Sequence, residues 1–197
     1  MAHSTLAGAA LVLLLGALAI TTTGASEEPM LIDDFASRDG TAAIGTRWRG
    51  FTDRVMGGRS DMQAGYVDGP SGPALRLRGQ VRLDNNGGFI QTRVPLQAEG
   101  GDFDASDYRG IALRVRGAPG PYYLHLRTRH TWRPWQYYRA TIDPGPEWRD
   151  LVIPFSAFEG RSIQRELDLT ALRTLGVVAY GEAFEADIEV ARIELVR

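Results

Sequence analysis

The sequence predicts an all-β domain, a sandwich or a barrel. Short runs of alternating apolar and polar residues recur along the chain. Clusters of Gly, Pro, Asn and Asp separate them, and only one brief stretch suits a helix. The chain has 197 residues, 44% of them hydrophobic and 23% charged, including 23 Gly and 10 Pro. That is the size and makeup of one ordinary domain, rich in turns.

Taken in order, the first element is a leader. Leu6 to Ile20 form an apolar run shorter than the roughly 20 residues of a membrane-spanning helix. Its length is that of a signal-peptide core. Thr23 and Ala25 stand as the small residues before a cleavage point at Ser26. Residues 1–25 are therefore expected to be a signal peptide. An uncleaved anchor is the alternative, because no Lys or Arg precedes Leu6. The mature chain, residues 26–197, is expected to be a single exported domain, periplasmic or extracellular, without a membrane span.

The strands follow. Ile111, Leu113 and Val115 share one face of Gly110–Arg116, and Tyr122, Leu124 and Leu126 repeat the pattern. His125, Arg127 and Arg129 then point the other way. Trp135–Ile142 is a run of β-forming residues. Leu151–Ile153 ends at Pro154, which suits an edge. Gly176–Tyr180 and Ala186–Val196 complete the set. In the last run Ile188 and Val190 have one parity, Ile193 and Leu195 the other, which predicts a bulge. Gly69–Pro73, Asn85–Gly88, Ala118–Pro121 and Asp143–Pro146 read as turns. A short helix is expected around Asp168–Arg173.

Composition excludes several functions. The net charge of −2 offers no global attraction for nucleic acid. All 22 basic residues are Arg, which reads as compositional bias. Without cysteine there is no thiol catalysis, disulfide or Cys-bound zinc. The mature chain has two histidines, His125 and His130, with no metalloprotease or nucleophile-elbow motif around them. Asp33 and Asp34 are adjacent, so on a strand they face opposite ways and do not converge on one bond. The domain is expected not to be an enzyme.

Three clusters are candidates for binding. The first is Asp53, Arg54, Met56, Gly57, Gly58, Arg59 and Ser60, where paired glycines allow close backbone approach; an ordinary turn is the plainer reading. The second is Asn85, Asn86, Gly87, Gly88 and Arg93. With Asp84 it admits calcium, but Asn-Gly more simply makes a hairpin turn. No cofactor is expected. The third is aromatic and basic: Arg127, Arg129, Trp132, Trp135 and Tyr138. Trp, Tyr and Arg favour binding hot spots, although Trp135 and Tyr137 could fill the core instead. The first two loops are expected to meet at one end of the domain.

These same clusters resemble the complex I intermediate-associated protein 30 family. Asp53–Ser60, then Asn85–Phe89 with Arg93, carry the likeness. So do Asp107–Ile111, Leu113–Gly117, Tyr122, Trp148 before Ile153–Phe155, Gly176 and the closing Ile188–Leu195 run. The resemblance spans about residues 31–197. It implies a galactose-binding-like jelly-roll β-sandwich. It also implies a non-catalytic, chaperone-like assembly factor for NADH:ubiquinone oxidoreductase, with a respiratory or membrane complex as protein partner. The leader departs from the mitochondrial members in looking secretory. The alternatives are an exported carbohydrate-binding module, with an oligosaccharide as ligand, and an enzyme acting on an extracellular polymer.

Overall fold

The computed structural model describes Met1, residues 28–69 and residues 72–197. The expected leader, apart from Met1, lies outside the described residues. Among the described residues twelve strands form two antiparallel sheets. Sheet one is ordered β3 (Gln63–Gly69), β4 (Gly72–Val81), β12 (Phe184–Val196), β6 (Gly110–Gly117) and β9 (Arg149–Pro154). In it β1 (Met30–Asp33) also pairs with β12. Sheet two is ordered β10 (Glu159–Arg161), β8 (Tyr137–Ile142), β7 (Tyr122–Thr128), β11 (Leu172–Tyr180), β5 (Phe89–Pro95) and β2 (Arg49–Thr52).

Alternation decides which residues enter the core. Leu75 and Leu77 of β4, Ile111, Leu113 and Val115 of β6, and Ile188 and Val190 of β12 come from one sheet. Tyr122, Leu124 and Leu126 of β7, Leu175, Val177 and Ala179 of β11, and Ile90 and Val94 of β5 come from the other. All are buried in one cluster, as expected where two sheets pack through their inner faces. The parity switch in β12 is real. Its register against β6 shifts between Val190 and Arg192, so Ile188, Val190, Ile193 and Leu195 all point inward.

Two expectations need correction. Asn85–Gly88 does not close a hairpin. Asn85 and Asn86 adopt left-handed backbone (φ 55° and 59°), and the turn carries the chain from β4 in sheet one to β5 in sheet two. Near Asp168–Arg173 there is only a 3-10 turn, Leu169–Ala171, capped by Asp168; the residues beyond it join β11. Among the described residues no helix is long and apolar enough to cross a membrane.

Asp33 and Asp34 diverge as expected. Asp33 is buried and accepts from Trp48 Nε1 (2.7 Å), Phe35 N (3.0 Å) and Ala43 N (3.2 Å). Burial nonetheless raises its pKa above the usual carboxylate value. Asp34 accepts from Ala36 N nearby.

Candidate ligand-binding face

The first two clusters do meet, and a carboxylate joins them. Asp53 is fully buried. Its Oδ1 accepts from Ser60 N (3.0 Å), and its Oδ2 from Ser60 Oγ (2.5 Å) and Gly88 N (2.7 Å). Asn85 Nδ2 donates to Gly57 O at 3.0 Å. A Cβ at Gly58 would lie 2.3 Å from the Asp53 carboxyl, and one at Gly87 2.4 Å from it. These glycines are there to let the carboxylate in. Asp53 and Ser60 therefore give position, not ligand contact. Arg54 reaches back to Ser60 O, while Met56, Gly57, Arg59, Asn85 and Asn86 stay exposed. Asp84, Asn85 and Asn86 offer a single carboxylate, fewer charged oxygens than calcium loops carry. Among the described residues no group of three His, Cys, Asp or Glu could hold a metal.

The third cluster divides. Tyr138 is in the core, 1% exposed, with its hydroxyl bonded to Arg165 O (2.9 Å) and Glu166 O (3.0 Å). Register explains the correction: Tyr138 pairs with Leu126, which points inward, so Tyr137 points outward. Tyr138→Phe is expected to cost about 1–2 kcal/mol of stability and to leave ligand binding unchanged. Calorimetry of both properties checks it. Arg129 is committed to Asp102 (3.1 Å), which also pairs with Arg173 (2.9 Å). His130 bonds Asp168 at 3.0 Å. Trp132 (72% exposed) and Trp135 (54%) stand in the β7–β8 loop. The Arg133 guanidinium lies over both rings, at 4.4 and 5.7 Å from their centroids. Arg127 steadies that loop by donating to Thr131 O (2.5 Å) and Arg133 O (2.8 Å).

Alternation turns a richer set of side chains to the outer face of sheet two. One row crosses the sheet: Arg49, Arg93, Gly176, His125, Arg139 and Glu159 are successive cross-strand partners. With strands about 4.8 Å apart, it runs roughly 24 Å. Gly176 leaves a low point between Arg93 and His125. A Cβ there would approach only Thr92 O closely, at 3.1 Å.

The flanking rows hold Thr174, Arg127, Tyr137 and Arg161 on one side, and Phe51, Gln91, Val178 and Tyr123 on the other. His125 stacks on Tyr137 (centroids 4.1 Å, planes 15° apart), and Tyr180 stands edge-on to His125 at 6.4 Å. Arg93 lies over Phe51 and Arg139 over Tyr123, each 4.6 Å from the ring centroid.

Burial, then the nearby Arg139 and Arg127, pushes the His125 imidazole down to about 3, so it is neutral at pH 7. Burial, then Tyr180, pushes Tyr137 up to about 12. Tyr123, Tyr137, Tyr180, Arg49 and Arg139 are absent from the sites expected from sequence. The signal was present: with Tyr122, Leu124 and Leu126 inside, the intervening residues must be outside.

Residues 34–190 match the family model described as complex I intermediate-associated protein 30 (CIA30). The chain belongs to the CIA30 family. No curated protein matches it significantly. Among solved structures, this CIA30 domain is similar to the family 11 carbohydrate-binding module of a cellulosomal cellulase of Clostridium thermocellum. The identity is 18%, covering 86% of this chain and 94% of the module, with a TM-score of 0.68. The same kind of module in complex with a β-1,3-1,4-mixed-linked tetrasaccharide gives 18% identity, 85% and 95% coverage and a TM-score of 0.65. A family 30 carbohydrate-binding module of the same organism gives 14%, 86%, 93% and 0.57. At these identities the likeness is one of fold, and it places the CIA30 domain among jelly-roll β-sandwiches.

A concavity of about 590 Å³ lies elsewhere, between Phe155, Phe158, Ile163, Leu167 and Leu169 at the open edges of the sheets. Its lining is mixed, with Ser156, Gln164, Arg165 and Glu166 beside the apolar residues, and the carbonyls of Arg165 and Glu166 are engaged by Tyr138.

Proposed function

We propose that this CIA30 domain is a non-catalytic binding module that takes an oligosaccharide on the outer face of sheet two. One observation carries the reading: Tyr123, His125, Tyr137 and Tyr180 form a half-buried aromatic patch bordered by arginines on an otherwise open sheet. Aromatic rings with fixed donors beside them suit the apolar faces and hydroxyls of a sugar. The exposed Trp132 and Trp135 extend the patch at the β7–β8 end. That the fold neighbours include modules named for carbohydrate binding supports the same choice.

The test is thermal unfolding of the purified protein against a panel of oligosaccharides. A ligand at about 100 times its dissociation constant adds about 2.7 kcal/mol, or roughly 5–11 °C for a domain of this size. Tyr137→Ala should remove the shift, read against that variant's own unliganded melting temperature, which loss of the stacked ring lowers. A panel with no shift at all would sink the reading.

A second reading, an assembly factor bound to a respiratory or membrane complex, is favoured by the family description and by an exposed apolar tip. Val55 (71% exposed), Met56 (55%) and Leu83 (50%) lie around the Asp53 loops. If this reading holds, Val55→Asp should abolish cross-linking to that complex in intact cells and leave sugar binding intact.

A further inference from the structure

The two outer faces treat their arginines differently. On sheet one the outward arginines of the central strands are engaged: Arg78 donates to Gln63 Oε1 (2.9 and 2.6 Å), and the others meet carboxylates. Arg76 pairs with Asp187 and with Glu189 (3.7 Å), Arg116 with Glu189 (2.8 Å), and Arg114 with Asp150 (3.7 Å). On sheet two, Arg49, Arg93, Arg127, Arg139 and Arg161 have none within 4.0 Å among the described residues. Register places one carboxylate on this face, Glu159, exposed at the β10 edge. Asp102, beside the start of β11, is already shared by Arg129 and Arg173.

The unpaired arginines also crowd one another. Burial, then the charge of Arg49, disfavours the Arg93 cation; burial, then Arg93, does the same to Arg127. Like charges brought together on a half-buried surface repel, and among the described residues no carboxylate lies within 4.0 Å of these arginines to offset that. Two polar atoms of the same rows, His125 Nε2 and Thr174 Oγ1, are shielded from solvent without a hydrogen-bond partner. A chain with net charge −2 thus concentrates uncompensated positive charge on the face that carries its aromatic patch.

We propose that the ligand of this face is an acidic oligosaccharide, whose sugar rings carry carboxylate or sulfate groups. Arg93 and Arg127 are the central anion contacts, and Arg49 and Arg139 flank them. The assignment rests on the saccharide reading above. Guanidinium presents several donors in one plane and suits such groups better than ammonium does. Arg127 uses one nitrogen on the Thr131 and Arg133 carbonyls. The rest of its fork is held in place for an anion.

Isothermal titration with four probes decides it: a neutral mixed-linked β-glucan tetrasaccharide, a galacturonate oligosaccharide, a sulfated galactan oligosaccharide and a polyglutamate peptide. One of the acidic sugars should bind at least about tenfold more tightly than the neutral one. Its affinity should fall between about 0.1 and 1 M salt, as the screening length shrinks from about 10 to 3 Å. Arg93→Gln should weaken binding about tenfold, and Arg78→Gln on the opposite sheet should not. Should Arg93→Gln fail to fold, the exposed Arg49→Gln gives the same answer with a smaller loss. Preference between the uronate and the sulfated sugar identifies the anion. Equal or better binding of the neutral sugar overturns the proposal and leaves the saccharide reading standing. Binding of polyglutamate with no sugar bound, or of nothing at all, overturns both.

Discussion

Asp53→Ala is expected to lower the melting temperature by roughly 10 °C, through a loss of about 3–4 kcal/mol. The carboxylate is fully buried and accepts from Ser60 N, Ser60 Oγ and Gly88 N. Removing it leaves three donors without a partner in a region closed to water, which costs more than the bonds themselves contribute. The damage would spread, because Ser60 also ties the loop to Arg82: Ser60 Oγ accepts from Arg82 N at 2.9 Å. Gly88 O accepts from Gly181 N at 2.9 Å, linking the knot to the end of β11. Gly58→Ala and Gly87→Ala should destabilise as well, since each new methyl would collide with the same carboxyl. Calorimetric unfolding measures all three. An Asp53→Ala protein that melts within about 2 °C of the parent, less than 1 kcal/mol for this size, would show that the knot does not hold the loops.

Acidification is expected to destabilise the domain through His125. In the folded protein the ring is neutral down to about pH 3, whereas in the unfolded chain it protonates near pH 6.5. The unfolded state therefore binds the proton first. The contribution of neutral His125 is complete above about pH 6.5, declines as pH falls below that, and levels off near the folded value. Roughly 2 kcal/mol should be lost between pH 7 and pH 4 from this residue, after allowing for its partial exposure. Carboxylates titrate in the same window, so the measurement is a difference. Denaturant unfolding of the parent and of His125→Gln should give curves that converge as pH falls. A difference that stays constant from pH 7 to pH 4 would mean that His125 protonates freely in the fold.

Much of this architecture is legible in the sequence, and the limits are physical. Alternation over Ile111–Val115 and Tyr122–Leu126 needs only the period of a strand, and the structure follows it. The parity switch between Val190 and Ile193 likewise announces its bulge. Local pattern does not say which strands pair. Asn85–Gly88 has the composition of a hairpin, yet its flanking strands belong to different sheets. Composition also cannot separate a ligand loop from an internal polar knot. Asp53, Gly58 and Ser60 have the residue types of a binding loop, and burial turns them inward. The Tyr137–Tyr138 pair shows the sharpest dependence on register. A shift of one residue exchanges core and surface, and the inward partner Leu126 settles it.

The thirteen-residue strand β12 has one more consequence. It is the common neighbour of β1, β4 and β6, and it comes last in chain order. The backbone groups of those three strands that face it find their partners only once it has been made. Sheet one is therefore closed by contacts spanning most of the sequence, such as Met30 with Leu195. Loops of that length close slowly, and the chain remains open to wrong pairings while they do. During synthesis, hairpins such as β3–β4 and β7–β8 can form early, but the sandwich cannot. The domain is thus expected to fold late and in one cooperative step, after its last strand is free to enter the middle of the sheet.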